Sequence, residues 1–258
     1  MSPRDWLGAR RAAFGGMGEE YDRFRPSYPA DALLWALGPD PLLVVDVGCG
    51  PGKLTRQLAE MGNRAIGLDP SFTMLRAMRT SLPRVRATAE AMPFRTGSIE
   101  AITSGQAFHW FDHARAVPEM RRILHPSGRI ALLWNFRDES VEWVRELSAI
   151  IGSEDAMTAT LGDVEDLTRQ AVAHLTHHSL FTSVEQHFFS LEQDLDEPGL
   201  VGLVASRSYV AVLPKPERDR LLAAVTDLRR SHPHLRSRER FSLPYKTLTI
   251  RAMAADGG

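Results

Sequence analysis

The 258-residue sequence has one cysteine, Cys49, which excludes an internal disulfide and a cysteine-rich metal site. Long apolar runs are also lacking: residues 130–134 form a run of five, whereas a membrane span needs roughly 20. The first 16 residues are broken by proline and charged residues and have no apolar core of the kind that a signal peptide carries. Positive charge is not in surplus, since 31 lysines and arginines face 32 aspartates and glutamates. These absences predict a cytoplasmic globular protein with no membrane partner and no general affinity for nucleic acid.

Short apolar runs alternate with amphipathic stretches between residues 41 and 135. Strands are predicted at residues 42–47, 64–68, 84–88, 99–104 and 129–134, with helices at 53–61, 71–82 and 119–124 between them. This alternation is typical of βαβ units, which build a parallel sheet with right-handed crossovers. Farther along the chain, helices are predicted at 141–151, 161–179, 199–213 and 217–230, and strands at 184–191 and 241–253. The fold class is therefore α/β.

A glycine-rich turn follows the first predicted strand. Gly48, Gly50 and Gly52 lie where this strand gives way to a helix, so the backbone can turn sharply and approach a ligand closely. Asp69 ends the second predicted strand, where a carboxylate can accept hydrogen bonds from ribose hydroxyls. The alternative for Asp69 is a purely structural one, as a cap of the helix that follows it.

The spacing of the glycines distinguishes between classes of ligand. A dinucleotide fingerprint, G-x-G-x-x-G, would need glycine at position 53, where this chain has Lys53. The spacing is instead G-x-G-x-G, and Asp46 precedes it by two residues. A carboxylate beside the loop suits a cationic ligand better than an anionic one. This pattern resembles motif I of the class I S-adenosylmethionine-dependent methyltransferases.

Further segments strengthen this resemblance. Residues 88–94 are similar to the A-E-x-L-P-F segment of that superfamily, and residues 125–129 to its L-x-P-G-G turn. Together with residues 21–29 and 108–112, they make the chain most similar to the trans-aconitate-methyltransferase-like group of small-molecule enzymes. The resemblance implies a Rossmann-like, seven-stranded, mostly parallel sheet with an antiparallel last strand and helices on both faces. It also implies a transferase that uses S-adenosylmethionine, leaves S-adenosylhomocysteine and methylates a small molecule, such as a carboxylate or a secondary metabolite.

The resemblance assigns cofactor contacts to individual residues. Ala89, through its backbone N–H, and Glu90 correspond to the segment that lines the adenine. Gln106, or the backbone around Gly105, lies beside the methionine part. Tyr21 or Arg25 would meet the methionine carboxylate from a lid ahead of the first strand, by a charge-assisted hydrogen bond. The alternative for this segment is a loop pinned to the surface.

His109 is a candidate general base, because an imidazole titrates near neutral pH and could deprotonate an acceptor. The alternative is a packing element that shapes the pocket, since methyl transfer needs alignment above all and can proceed without a base. His109 and His113 have H-x-x-x-H spacing, but no H-E-x-x-H glutamate is present, so no metal site is expected. Trp134 and Asn135 are expected in the pocket wall. Five further histidines are expected on the solvated surface: His174, His177, His178, His232 and His234.

We expect a single methyltransferase domain over residues 1–258. Within it, residues 1–40 would form an N-terminal helical lid and 41–135 the cofactor-binding core, followed by a helical insertion at 136–180 and the C-terminal part of the sheet at 181–258. Alternative functions are a cofactor-binding protein without methyl transfer and a pocket reused for chemistry such as cyclisation. A nucleic-acid methyltransferase and an NAD(P) oxidoreductase fit the residues less well. No oligomeric state is predicted.

Overall fold

The computed structural model describes residues 23–152 and 164–255. Within them, seven strands form one sheet in the order β3-β2-β1-β4-β5-β7-β6. The strands are β1 (Leu43–Val47), β2 (Arg64–Leu68), β3 (Arg84–Val85), β4 (Ile99–Gly105), β5 (Leu124–Arg137), β6 (Phe181–Leu195) and β7 (Phe241–Ala254). Strands β1 to β5 are parallel neighbours, and β7 runs antiparallel to both β5 and β6. The predicted Rossmann-like sheet, mostly parallel with an antiparallel last strand, is confirmed.

Helices cover both faces of this sheet. They are α1 (Ala30–Leu37), α2 (Lys53–Glu60), α3 (Phe72–Ala77), α4 (His113–Ile123), α5 (Glu142–Ile151), α6 (Val164–Thr176), α7 (Glu197–Ala205), α8 (Ser208–Ala211) and α9 (Lys215–Ser231). One face packs against α4 and α6, and the other against α1 and α2. Helices α5, α7 and α9 form a third apolar cluster around the start of β7. No helix of the described ranges is both long and apolar enough to cross a bilayer.

The continuous apolar run in β5 is explained by burial on both sides of the sheet. Ile130, Leu132 and Trp134 pack into the cluster with α4 and α6, whereas Ala131 and Leu133 pack into the cluster with α1 and α2. A strand covered on both faces has no reason to alternate polar and apolar residues. The sequence pattern therefore located this strand correctly.

Helix α3 is shorter than its apolar spacing predicts. It ends at Ala77, and not near residue 82, because the chain turns at Met78 into an extended conformation. The Arg84 guanidinium donates hydrogen bonds to the carbonyls of Leu75 (2.7 Å) and Met78 (2.9 Å), which satisfies acceptors at the helix end. This contact from outside the helix fixes its end, so local periodicity could not predict it.

Two other predicted helices also differ from the structure. The predicted helix at 119–124 begins earlier, at His113, because the buried residues Ala116 and Val117 extend its apolar stripe ahead of Pro118. The predicted helix at 199–213 is divided into α7 and α8, since Arg207 adopts an extended conformation between them. Tertiary packing outweighs local propensity in both cases.

Candidate functional site

The glycine loop lies at the point where the strand order reverses. Strand β1 pairs with β2 on one side and β4 on the other, and ligands of open α/β sheets bind in the crevice beyond such a pair. Gly48, Gly50 and Gly52 have φ angles of +75°, +55° and +82°, a region that favours glycine. The N–H groups of Gly48 and Cys49 donate to the Leu68 carbonyl at 2.8 and 3.0 Å. The end of β2 therefore fixes the start of the loop.

The three glycines are needed for different reasons. A Cβ on Gly48 would lie 2.5 Å from the Cβ of Ala107, and one on Gly52 would lie 2.7 Å from Cγ of Met78. A Cβ on Gly50 would have no protein atom within 4 Å. Gly48 and Gly52 thus permit close packing within the protein, whereas Gly50 borders open space in which a ligand can lie.

Asp69 connects this loop to the next helix. Its Oδ2 accepts a hydrogen bond from the Gly50 N–H at 2.9 Å, and its Oδ1 accepts one from the Ser71 N–H at 2.8 Å. The side-chain cap of α3 is Ser71, whose Oγ accepts from the Met74 N–H. Burial raises the pKa of Asp69, and the two N–H donors oppose that rise. Two further lone-pair sites of the carboxylate can accept ligand hydroxyls.

Asp46 lies behind the loop. It is 1% exposed, and its oxygens accept hydrogen bonds from the Thr55 hydroxyl at 2.7 Å and the Thr103 hydroxyl at 3.2 Å. Burial raises the pKa of Asp46 to about 7, against the opposing effect of these hydroxyls. Asp46 therefore joins β1 to α2 and β4, and its predicted contact with the cofactor stays a prediction.

The predicted adenine segment is anchored to the start of α4. The side chain of Ala89 is buried in the core, so only its backbone can face a ligand. Glu90 accepts a hydrogen bond from the Asp112 N–H at 2.9 Å through its Oε1. The carboxylate of Glu90 thereby holds the loop after β3 against the loop after β4.

Residues 24–28, here called the strap, cross the carboxyl end of the sheet. Tyr28 is buried, and its hydroxyl occupies the space that a side chain at Gly105, the end of β4, would need. The carbonyl of Ser27 accepts a hydrogen bond from Nδ2 of Asn135 in β5 at 2.9 Å. The strap is therefore fixed to two neighbouring strand ends.

The strap continues toward α7. The ring of Phe24 fills the space beside Gly202, and Nη2 of Arg25 donates to the Ser206 carbonyl at 3.4 Å. Of the two residues predicted to meet the methionine carboxylate, Tyr21 lies outside the described residues. Arg25 contacts the residue that follows α7, and its predicted contact with the methionine carboxylate stays a prediction.

Gln106 is held at the end of β4 in a left-handed conformation, with φ +55°. Its N–H donates to the Leu133 carbonyl at 2.8 Å, and its Nε2 donates to the Asn135 carbonyl at 2.9 Å. Asn135 is in turn fixed by the Thr247 hydroxyl, which donates to Oδ1 at 2.7 Å. A non-glycine residue in this region costs about 1–3 kcal/mol and is kept where the surroundings demand it. The structure therefore places Gln106 firmly at the crevice.

The orientation of His109 depends on Trp134, whose role the sequence did not reveal. Trp134 is fully buried in the core, so it supports His109 from behind and does not form the pocket wall that the sequence predicts. Its indole N–H donates to Nδ1 of His109 at 3.3 Å. Neutral His109 then carries its proton on Nε2, which can donate a hydrogen bond. Proton abstraction through Nδ1 would first have to break the bond to Trp134.

The histidines do not form a metal pair on one helix. His109 lies in a short 3-10 turn, and His113 begins α4, where its Nε2 donates to the Phe108 carbonyl at 3.0 Å. The expectation of solvated histidines is wrong for His232, which is buried. His174 is half-buried, with its ring centroid 4.1 Å from that of His113, and the side chain of His178 lies outside the described residues. Among the residues that the structure describes, no group of three or more His, Cys, Asp or Glu could hold a metal ion.

Comparison with known proteins identifies this arrangement. A family model described as a methyltransferase domain matches residues 45–132, which include the glycine loop and Asp69. An uncharacterized methyltransferase of Mycobacterium tuberculosis is 40% identical over 246 residues, which are 94% of this chain and 96% of the relative. The chain belongs to the class I methyltransferases. The family expected from motif I is confirmed.

Other relatives of this methyltransferase match less of it or at lower identity. Trans-aconitate 2-methyltransferase of Azoarcus sp. is 37% identical over 119 residues, 42% of this chain and 45% of the relative. A structure described as a type II methyltransferase of Anaeromyxobacter dehalogenans superposes with a TM-score of 0.61 at 23% identity, covering 90% and 98% of the two chains. A phosphoethanolamine N-methyltransferase of Haemonchus contortus, solved with phosphomonomethylethanolamine and S-adenosylhomocysteine, gives a TM-score of 0.54 at 16% identity, covering 99% and 60%. These two structures support the fold alone.

Proposed function

We propose that this methyltransferase transfers the methyl group of S-adenosylmethionine to a small-molecule acceptor and releases S-adenosylhomocysteine. The observation that carries the proposal is the hydrogen bond between the Gly50 N–H and the Asp69 carboxylate at the switch point of the sheet. It brings the glycine turn and the acid of the second strand into one crevice. Membership of the class I methyltransferases supports the same cofactor.

The residues of the crevice fit this cofactor. Asp69 has lone pairs left for ribose hydroxyls, and Gly50 borders open space at the loop. Ala89 and Glu90 would border the adenine, and Gln106 the methionine part. When bound, S-adenosylmethionine supplies an electrophilic methyl group on a sulfonium.

The contribution of the chain is mainly alignment. The strap narrows the crevice beyond β4 and β5, which favours a small acceptor over a macromolecule. His109 can orient the acceptor by donating from Nε2, since Trp134 occupies its other nitrogen. Alignment of the reacting atoms alone can supply a large part of the rate of such a transfer. The similarity to trans-aconitate 2-methyltransferase is a further argument for a small acceptor.

Titration calorimetry with S-adenosylmethionine, S-adenosylhomocysteine and NADH tests the cofactor assignment. The wild type should bind the two sulfur ligands at micromolar concentration and should not bind NADH. Asp69→Asn should weaken both sulfur ligands by at least about 10-fold, because an amide accepts fewer hydrogen bonds than a carboxylate. Asp40→Asn, which changes an exposed carboxylate, is the matched control and should bind as the wild type does. Unchanged affinity in Asp69→Asn, or binding of NADH alone, would refute the assignment.

A further inference from the structure

A group of arginines lies where β5 ends. This is the same edge of the sheet as the glycine loop, but the loop follows β1, and β4 separates the two strands. Arg137 ends β5 and pairs across the strands with Tyr245 of β7. Arg207 follows directly after Ser206, the residue whose carbonyl accepts a hydrogen bond from Arg25 of the strap. Three segments that are distant in sequence thus contribute guanidinium groups to one region.

The charges of this region act on each other. Burial first, and then the positive charge of Arg207, lower the pKa of Arg137 to about 9. Burial raises the pKa of Tyr245, and the charges of Arg207, Arg137 and Arg25 all oppose that rise. Tyr245, Tyr209 and Glu139 act in the opposite direction on Arg137, but burial and Arg207 outweigh them. Like charges therefore face one another in surroundings with little water, an arrangement that an anion would stabilise.

Arg207 provides a second, geometric observation. Its side chain is 8% exposed, and its Nε has no hydrogen-bond partner among the residues that the structure describes. A buried donor of this kind costs folding free energy as long as it stays unsatisfied. Such a group calls for an explanation, and an anion bound at this guanidinium, beside Arg137 and Arg25, would supply one.

We propose that Arg207 and Arg137, with Arg25 and Tyr245 beside them, bind an oxyanion of the acceptor, either a carboxylate or a phosphate. Guanidinium groups offer paired N–H donors that match the geometry of both anions. The assignment of this site to the acceptor rests on the proposed function, whereas the anion site itself does not.

The position of the arginines agrees with a role in holding the acceptor. Arg137 is two residues beyond Asn135, whose carbonyl accepts the hydrogen bond from Gln106 at the crevice. An acceptor held by its anionic group at Arg137 can extend along the strand ends toward Gln106, the predicted neighbour of the methionine part of the cofactor.

Thermal unfolding in the presence of simple anions tests this site with no need for the true acceptor. The probes are sodium phosphate and sodium malonate, each compared with sodium chloride at equal ionic strength. We expect at least one of them to raise the Tm of the wild type by about 2–4 °C above the value in chloride. A rise with phosphate alone identifies a phosphate site, and a rise with malonate alone a carboxylate site.

Arginine variants locate the effect. Arg207→Met and, independently, Arg137→Met should abolish the anion-dependent rise, and Arg207→Met should unfold in chloride at or above the wild-type temperature because a buried like charge is gone. Arg220→Met removes an exposed arginine of α9 and should keep the full rise. The proposal is overturned if neither anion stabilises the wild type, or if the rise persists in a folded Arg207→Met or Arg137→Met variant. Calorimetry with S-adenosylhomocysteine on the same variants separates the two proposals: a wild type that fails to bind it refutes the cofactor and leaves the anion result standing.

Discussion

The glycine loop and the arginine group lie at two ends of one sheet edge, here called the loop end and the arginine end. The loop end is one continuous segment, residues 46–71. The arginine end is assembled from Arg25, Arg137, Arg207 and Tyr245. Arg25 and Ser206, whose carbonyl it contacts, are 181 residues apart. The loop end depends on a short motif that folds on itself across β1, α2 and β2. The arginine end exists only once the strap, β5, β7 and α8 have come together.

The two ends also differ in how their polar groups are satisfied. At the loop end, Asp69 accepts two backbone N–H groups and Asp46 accepts two hydroxyls. At the arginine end, the Nε of Arg207 is buried with no acceptor in the described part of the chain. The loop end is thus complete as protein structure, while the arginine end needs an anion to be complete. Substitutions at the loop end should therefore change stability as well as cofactor affinity, whereas substitutions at the arginine end should chiefly change anion binding.

Asp46→Asn gives the largest expected effect at the loop end. Burial raises the pKa of Asp46 from 3.8 to about 7, so the folded state binds this proton more tightly than the unfolded state. The free energy of unfolding is therefore highest below about pH 4, where Asp46 is protonated in both states. It falls by about 4 kcal/mol in all as the pH rises through about 7, because ionised Asp46 is costly in the folded state. Urea unfolding should show the wild type losing about 2 kcal/mol relative to the variant between about pH 5.5 and about pH 8.5. Parallel pH profiles of the two proteins would contradict the burial of this carboxylate.

Gly48→Ala is expected to destabilise the protein by about 2–4 kcal/mol. The added methyl would lie 2.5 Å from the Cβ of Ala107, and the backbone has a φ of +75°. Chemical denaturation measures the loss. A loss below about 1 kcal/mol would mean that the loop can shift away from β4, against the tight packing described above.

Gly50→Ala separates ligand binding from packing within the same loop. Its φ is also positive, but the added methyl would meet no protein atom within 4 Å. The stability loss should be about 1 kcal/mol, while affinity for S-adenosylhomocysteine should fall at least about 10-fold because the methyl enters the space of the ligand. Gly97→Ala, another positive-φ glycine in open surroundings, is the matched control and should keep its affinity. Equal affinities in the two variants would remove the argument that Gly50 borders the ligand.

Trp134→Phe is expected to have the smallest effect. Loss of the N–H donor to His109 should reduce kcat by about 3- to 10-fold and leave affinity for S-adenosylhomocysteine within about 2-fold.

His109→Gln distinguishes a hydrogen-bond donor from a general base at this position, since a glutamine amide can donate but cannot take up a proton near neutral pH. If His109 acts as a donor, His109→Gln keeps most of the activity that His109→Ala loses, with a flat pH profile. A base would lose activity equally in both variants.

The loop end could be predicted from sequence because its signals are local. The positions of Gly48, Gly50, Gly52 and Asp69 lie close together, and strand and helix patterns flank them. The surroundings of Asp46 could not be predicted, since one of its partners, Thr103, belongs to β4 and carries no motif. The carboxylate joins strands and helix, and its predicted contact with a cationic ligand stays a prediction.

Arg25 and Arg137 already favoured a carboxylate acceptor in the sequence, but Arg207 could not be predicted, for a physical reason. Arg207 lies within residues 199–213, which local periodicity predicts as one helix. The chain departs from that helix after Ser206, whose carbonyl accepts a hydrogen bond from Arg25 of the strap. Such an interruption depends on tertiary contacts, so neither periodicity nor spacing indicates it. The same holds for the bond from Trp134 to His109.

The separation of the two ends can be tested in one crossed titration. Wild type, Gly50→Ala and Arg207→Met would each be titrated with S-adenosylhomocysteine by calorimetry and with the stabilising anion by thermal unfolding. Gly50→Ala should lose affinity for S-adenosylhomocysteine by at least about 10-fold and keep the anion-dependent rise in Tm. Arg207→Met should keep the affinity and lose the rise. If each variant lost both responses, or if Arg207→Met lost neither, the account of two separate binding regions on one sheet edge would be contradicted.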